Sequence, residues 1–176
     1  FIPDVIKSGA KAIIVEKDVA PADGVTYIKV NNSRLALAYM SAAYFDYPAE
    51  KLKTIGITGT KGKTTTTFMV KSILQAHGLK VGLIGSIAVY INDEKIEDTD
   101  RTTSESIDIK KYLDLMVKQN VEVAIIEVSS QAMKLERVTG CKFEVGLFTN
   151  LTEDHLDYFK TMDNYFLAKS KLFSKR

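Results

Sequence analysis

Thr54-Ile55-Gly56-Ile57-Thr58-Gly59-Thr60-Lys61-Gly62-Lys63-Thr64-Thr65 decides how the rest of the chain is read, because an apolar run passes through a glycine-bearing turn into a helix-forming stretch. Glycines let successive amides turn inward around phosphate oxygens, and the helix start adds the positive end of its dipole. Gly59, Thr60, Lys61, Gly62, Lys63, Thr64 and Thr65 are therefore candidate nucleotide-binding residues. Lys63 is placed to reach the β and γ phosphates, and the Thr64 hydroxyl to ligate magnesium. The usual spacing would put its first glycine at position 57, where Ile57 stands; glycines occupy 56 and 59 instead. That shift argues against an ordinary P-loop kinase. A glycine turn that binds nothing is the alternative, and the Lys63-Thr64 pair between strand and helix counts against it.

The pattern continues on both sides of the loop. A helix is expected over 64–77, a strand over 81–87, a hairpin-like excursion around Asn92-Asp93, and strands over 121–128 and 144–149. Ile109, Tyr112, Leu113 and Met116 make one helical face, and a last helix is expected over 161–173. Val123 to Ile126 is continuously apolar, as in strands covered on both faces. Strands alternating with helices predict an α/β fold, a mostly parallel P-loop-type sheet flanked by helices. Upstream, apolar runs at 12–15 and 25–30 and a helix over 32–45, capped by Asn32 or Ser33, predict part of a small α/β unit; Tyr47-Pro48 and the polar residues after it place a boundary near 49.

Three further residues could carry chemistry. Glu127 ends a buried strand, at the sheet edge where α/β proteins place ligands, and can hold magnesium or be an ordinary charged strand end. His155 follows another strand in Thr149-Asn150-Leu151-Thr152-Glu153-Asp154-His155, at the ligand edge or solvated. His77 suits the end of its helix. Met162, Tyr165, Phe166, Lys169 and Phe173 form one stripe, so Lys169 points inward or snorkels to water.

The 176 residues are 45% hydrophobic, enough for a packed core, and 24 Lys+Arg against 22 Asp+Glu leave +2 with no long charged block. No polybasic tail for nucleic acid or membrane is visible, so small-molecule partners are expected. A single Cys141 allows no internal disulfide, and there is no run of roughly 18 apolar residues, which fits a reducing cytoplasm. Oligomeric state leaves no signal. A start at Phe1 and an end within a helical stretch read as a fragment.

Taken together, Gly56 to Thr66, Thr102-Thr103, Glu127-Val128-Ser129-Ser130, Phe148-Thr149-Asn150-Leu151, Asp154-His155-Leu156-Asp157-Tyr158 and Tyr165 to Phe173 resemble the Mur ligases, in particular those that extend UDP-MurNAc-L-Ala-D-Glu by a third amino acid. The resemblance implies ATP and Mg2+ as cofactors, and the muramoyl dipeptide and a free amino acid as substrates. It implies phosphate binding by Lys63, magnesium binding by Thr64, Glu127 and His155, and substrate contacts by Thr102, Thr103, Ser129 and Arg137. Lys169 matches a lysine that is carbamylated, which turns the amine into an anion able to bind magnesium. Lys63, Lys169 and His155 would be catalytic. Residues 1–48 would be the end of the UDP-substrate domain and 49–176 an incomplete central ATP-binding domain, without the C-terminal ligase domain, so the piece alone is expected to be inactive. The third residue is expected to be meso-diaminopimelate on prevalence, with L-lysine the alternative. Lys61, Ser104 and Gln131 depart from the family's usual Asn, Pro and His, beside the phosphate loop and the substrate loops. A folylpolyglutamate-synthetase-like ligase and a non-catalytic nucleotide-binding module are the rival readings.

Overall fold

The structure is a computed structural model that describes residues 1–174. The chain opens with a short helix α1 (Ile2–Lys7), strands β1 (Ala12–Val15) and β2 (Thr26–Lys29) paired in parallel, and helix α2 (Ser33–Tyr44). The Asn32 side chain caps α2 by accepting from the Leu35 N–H at 3.0 Å. Left-handed Asp46 and Tyr47, with φ of 56° and 50°, then turn the chain into a single 3-10 turn at Pro48–Glu50.

The main sheet follows: β3 (Lys53–Thr58), helix α3 (Lys63–Ala76), β4 (Val81–Ile84), β5 (Ala88–Ile91), β6 (Glu94–Asp98), helix α4 (Ser106–Lys118), β7 (Val123–Glu127), helix α5 (Ser130–Lys134), β8 (Val145–Phe148), and helices α6 (Leu156–Phe159) and α7 (Met162–Ser174). Its strand order is β6-β5-β4-β7-β3-β8. The four strands β4, β7, β3 and β8 are parallel, and β5 and β6 add an antiparallel edge whose turn is Asn92-Asp93.

Strand β7 is central and every residue of it is buried, which explains its unbroken apolar run. Ala124 and Ile126 pack on one face with Ile109, Leu113 and Met116 of α4; Ile125 packs on the other with Ile57 of β3 and Val70 and Leu74 of α3. The sheet is thus clamped between two helices, and the carboxyl ends of β3, β7 and β8 lie side by side.

Two expectations are corrected. Strand β4 stops at Ile84 and does not reach 87, because the Ser86 N–H and hydroxyl bond the side-chain carboxylate of Glu127 and not the backbone of the neighbouring strand. The buried stripe of α7 is Tyr165, Ala168, Lys169 and Leu172, not the set containing Phe166 and Phe173. Those two rings are 48% and 40% exposed and sit beside Phe148, with centroids 6.3 and 6.2 Å away. Helices α1, α5 and α6 were not legible, each being too short for a periodic signal.

Candidate active site

The phosphate loop is shaped from outside as well as within. At Gly59 φ is +147°, and a side chain there would run into Thr149 Oγ1, so only glycine fits. The Thr60 N–H donates to the Asn150 carbonyl at 3.0 Å, and the Lys61 N–H to Asn150 Oδ1 at 3.0 Å. In return Asn150 Nδ2 and Thr149 Oγ1 donate to the Lys61 carbonyl at 3.0 and 2.8 Å. Asn150 is therefore a brace of the loop. Gly62, left-handed at φ 80°, starts α3. The exposed Lys61 side chain takes no part in this brace, and Thr65 faces a different surface cleft with Phe68 and Ile73.

Two lysines converge on this loop. Lys63 Nζ donates to the Gly59 and Thr60 carbonyls at 3.0 and 3.1 Å. Lys169 Nζ donates to the same Gly59 carbonyl at 2.7 Å and lies 4.5 Å from the centroid of the Tyr165 ring. Lys169 is 1% exposed, so it does not snorkel. Burial, then repulsion from Lys63, lowers its pKa to about 8, against the pull of Asp154. Burial also lowers the pKa of Lys63, opposed by Glu127 and Asp154. The Tyr165 hydroxyl donates to Thr60 Oγ1 at 3.2 Å, fastening α7 to the loop.

Glu127 is fully buried at the end of β7. Its Oε2 accepts from Thr64 Oγ1 at 3.1 Å and Ser86 Oγ at 3.0 Å, and its Oε1 from the Ser86 N–H at 3.1 Å. One carboxylate flanked by two hydroxyls is a set of hard oxygen donors, which fits magnesium. Among the described residues no three of His, Cys, Asp and Glu gather, so a metal here would draw on hydroxyls too. Ser86 went unread in the sequence, although it lies just past the end of buried strand β4, as Glu127 lies at the end of β7.

Beyond β7 the chain forms a second polar cluster. Thr103 Oγ1 donates to the Glu127 carbonyl at 2.8 Å and accepts from the Ser129 N–H at 3.0 Å. Ser129 Oγ caps α5 by accepting from the Ala132 N–H at 3.1 Å. Arg137 Nη1 donates to the Thr103 carbonyl at 3.2 Å, and its Nη2 pairs with Glu105 at 2.7 Å. Arg101 pairs with the same Glu105 oxygen at 2.7 Å.

A cavity of about 440 Å3 joins these parts: Lys63, Thr102, Thr103, Ser129, Arg137, His155 and Lys169 all line it. Arg101, Ser130 and Gln131 complete the polar wall and were not candidates beforehand. His155, left-handed at φ 54°, presents its ring to Tyr165 edge-on with centroids 5.9 Å apart. Thr64 and Glu127 are not on the wall; they form the pair behind the phosphate loop. The wall of lysines, arginines and hydroxyls suits an anionic ligand.

Fold and site define a P-loop α/β domain in which strand β7 supplies an acidic residue beside the loop. A family model described as the Mur ligase middle domain matches residues 57–176, and the chain belongs to the Mur ligase family. The UDP-N-acetylmuramoyl-L-alanyl-D-glutamate–2,6-diaminopimelate ligase of Clostridium perfringens is 53% identical over 175 residues, covering 99% of this chain and 36% of that protein. A solved structure of a ligase with the same name superimposes with a TM-score of 0.82 at 26% identity, over 98% of this chain and 34% of the other. A bifunctional folylpolyglutamate synthase/dihydrofolate synthase holding Mn, AMPPNP and L-glutamate shares the fold, with a TM-score of 0.65 at 22% identity over 78% of this chain and 39% of that one. The chain spans about a third of the length of the curated relatives it matches. No helix among the described residues is long and apolar enough to cross a membrane.

Proposed function

We propose that this chain is the substrate- and ATP-binding part of a ligase that joins 2,6-diaminopimelate, as third amino acid, to UDP-MurNAc-L-Ala-D-Glu, using ATP and Mg2+. Residues 1–48 are then the end of a UDP-substrate domain and 49–176 the ATP-binding domain. The observation that carries the reading is the single cavity bordered by the phosphate-loop lysine, Lys169, His155 and the Thr102, Thr103, Ser129 and Arg137 wall. The relatives' shared name supplies the identity of the substrates.

On this reading the triphosphate lies along Gly59 to Thr64, and Lys63 exchanges its loop carbonyls for β and γ phosphate oxygens. Thr64, Glu127, His155 and carbamylated Lys169 would hold magnesium. When bound, the ion neutralises phosphate charge. Thr102, Thr103, Ser129 and Arg137 orient the muramoyl dipeptide so that the D-glutamate side-chain carboxylate faces the γ phosphate. A carboxylate oxygen attacks phosphorus, ADP leaves, and the acyl phosphate forms. The amine of the third amino acid then displaces phosphate and gives the amide. Lys63 and Arg137 work by position and charge and not by covalent chemistry. A Lys169 pKa of about 8 supports carbamylation, since the uncharged amine is the form that attacks CO2.

The test is ADP release by the full-length gene product with ATP, magnesium and the muramoyl dipeptide, adding diaminopimelate, lysine, or a folate with glutamate. Release that needs both the muramoyl dipeptide and diaminopimelate is expected, and Lys63→Ala should abolish it. Release with lysine alone would reassign the third residue. Folate-dependent release, or near-normal turnover in Lys63→Ala, would overturn the proposal.

A further inference from the structure

Lys110 of α4 is fully buried, and no step of the proposed reaction uses it. Its Nζ donates to the Thr139 carbonyl at 2.8 Å and to Cys141 Sγ at 3.1 Å. Taking a lysine nitrogen out of water is costly, so a lysine at this position needs a role that an apolar residue would not fill.

Its partners belong to the turn that carries Arg137. Residues 136–141 form neither helix nor strand. Within the turn the Thr139 N–H donates to the Glu136 carbonyl at 3.1 Å and the Cys141 N–H to the Val138 carbonyl at 3.0 Å. The backbone is left-handed at Glu136 and Gly140, with φ of 57° and 78°. Helix α4 grips this turn from one side. Ser106, four residues before Lys110, donates its hydroxyl to the Glu136 carbonyl at 3.4 Å, and Glu105 at the helix start pairs with Arg137. From the other side α2 closes in: a methyl group on Gly140 would lie 3.4 Å from Ala42 Cβ and 3.7 Å from Lys110 Cε. Of the three grips from α4, that of Lys110 reaches furthest along the turn.

We propose that Lys110 is a positioning residue for the muramoyl substrate: by pinning the Thr139 carbonyl it fixes the turn that delivers Arg137 to the cavity wall. This rests on the ligase reading above. Because Arg137 also bonds the Thr103 carbonyl, a displaced turn would disturb both substrate-contacting segments while leaving the phosphate loop, held by Asn150 and Lys169, in place.

The test uses Lys110→Met in the full-length protein, which keeps most of the stem and removes the nitrogen. The KM for the muramoyl dipeptide should rise about tenfold, the order expected for losing one buried hydrogen bond. The KM for ATP should stay within about twofold, a shift worth only a few tenths of a kcal/mol. The melting midpoint should change little, because the cost of the broken hydrogen bond is offset by removal of a buried polar nitrogen. Amide exchange should speed up across 136–141 while α4 stays protected. Lys110→Gln, which retains a donor, should recover part of the muramoyl KM. A purely structural lysine would instead lower the midpoint and move both KM values together; that result, or unchanged muramoyl KM with unchanged exchange, overturns the inference. Should Lys110→Met not fold, Lys110→Gln is read by the same criteria. Should the wild-type protein show no turnover that depends on the muramoyl dipeptide, the ligase reading fails, and exchange at 136–141 alone decides whether Lys110 pins the turn.

Discussion

Lys169 reaches across 110 residues of sequence to donate a hydrogen bond to the Gly59 carbonyl, so the last helix is fastened to the phosphate loop by a buried amine. The carbonyl it holds is the one that Lys63 also holds.

The depressed pKa of the Lys169 amine, before any carbamylation, has a consequence for stability. The unfolded chain keeps this proton up to the ordinary lysine value of 10.5, the folded chain only up to about 8. Between those values the folded state binds fewer protons, so stability rises with pH; below about 8 the folded state bears the full cost, on the order of 3 kcal/mol. Urea midpoints of wild type and Lys169→Met at several pH values across this window should differ by an amount that changes with pH, wild type gaining as pH rises. A pH-independent difference would contradict the low pKa.

Gly59→Ala forces a methyl group toward Thr149 Oγ1 at a backbone angle that L-residues rarely adopt. The expected cost is about 1–3 kcal/mol of stability, with loss of nucleotide affinity as the loop shifts. Thermal melts and ATP titration would show both; an unaffected ATP affinity would mean the loop tolerates another path.

Ser86→Ala removes one of three hydrogen bonds to the Glu127 carboxylate and leaves the Ser86 N–H in place. If Glu127 serves magnesium, the ion concentration for half-maximal ADP release should rise, by roughly tenfold for one hydrogen bond of about 1.4 kcal/mol. An unchanged magnesium dependence would separate Ser86 from the metal.

Thr103→Val keeps the shape and deletes a hydroxyl that is almost wholly buried and bonded to the Glu127 carbonyl and the Ser129 N–H. Both partners are left unpaired, at about 1–3 kcal/mol. The muramoyl KM should rise more than the ATP KM, and equal changes would count against a substrate role for this segment.

What could be read in advance was whatever has a local signature. The phosphate loop announces itself through glycine spacing and Lys63-Thr64, and β7 through its unbroken apolar run. Lys169 was legible from helical periodicity, although the stripe was drawn through Phe166 and Phe173, which are large and apolar but cover Phe148 from outside, while small Ala168 goes in. The relationships that went unread join distant positions: Ser86 with Glu127, 41 residues apart, and Asn150 with Lys61, 89 apart. Neither residue carries a pattern that names its partner. The family resemblance supplied candidate roles for the substrate wall, and folding supplied the reason those residues share one cavity.

The brace between Lys61 and the Thr149-Asn150 pair also sets an order of assembly. Synthesis releases β3 and α3 well before β8, so a nascent chain that has emerged only through β7 has the glycine turn but not the bonds that hold it open. Contacts across such spans form late and slowly compared with helical turns. The loop is therefore finished from its far side, when β8 docks beside β3, and on the proposed reading the capacity to bind nucleotide arrives together with completion of that edge of the sheet.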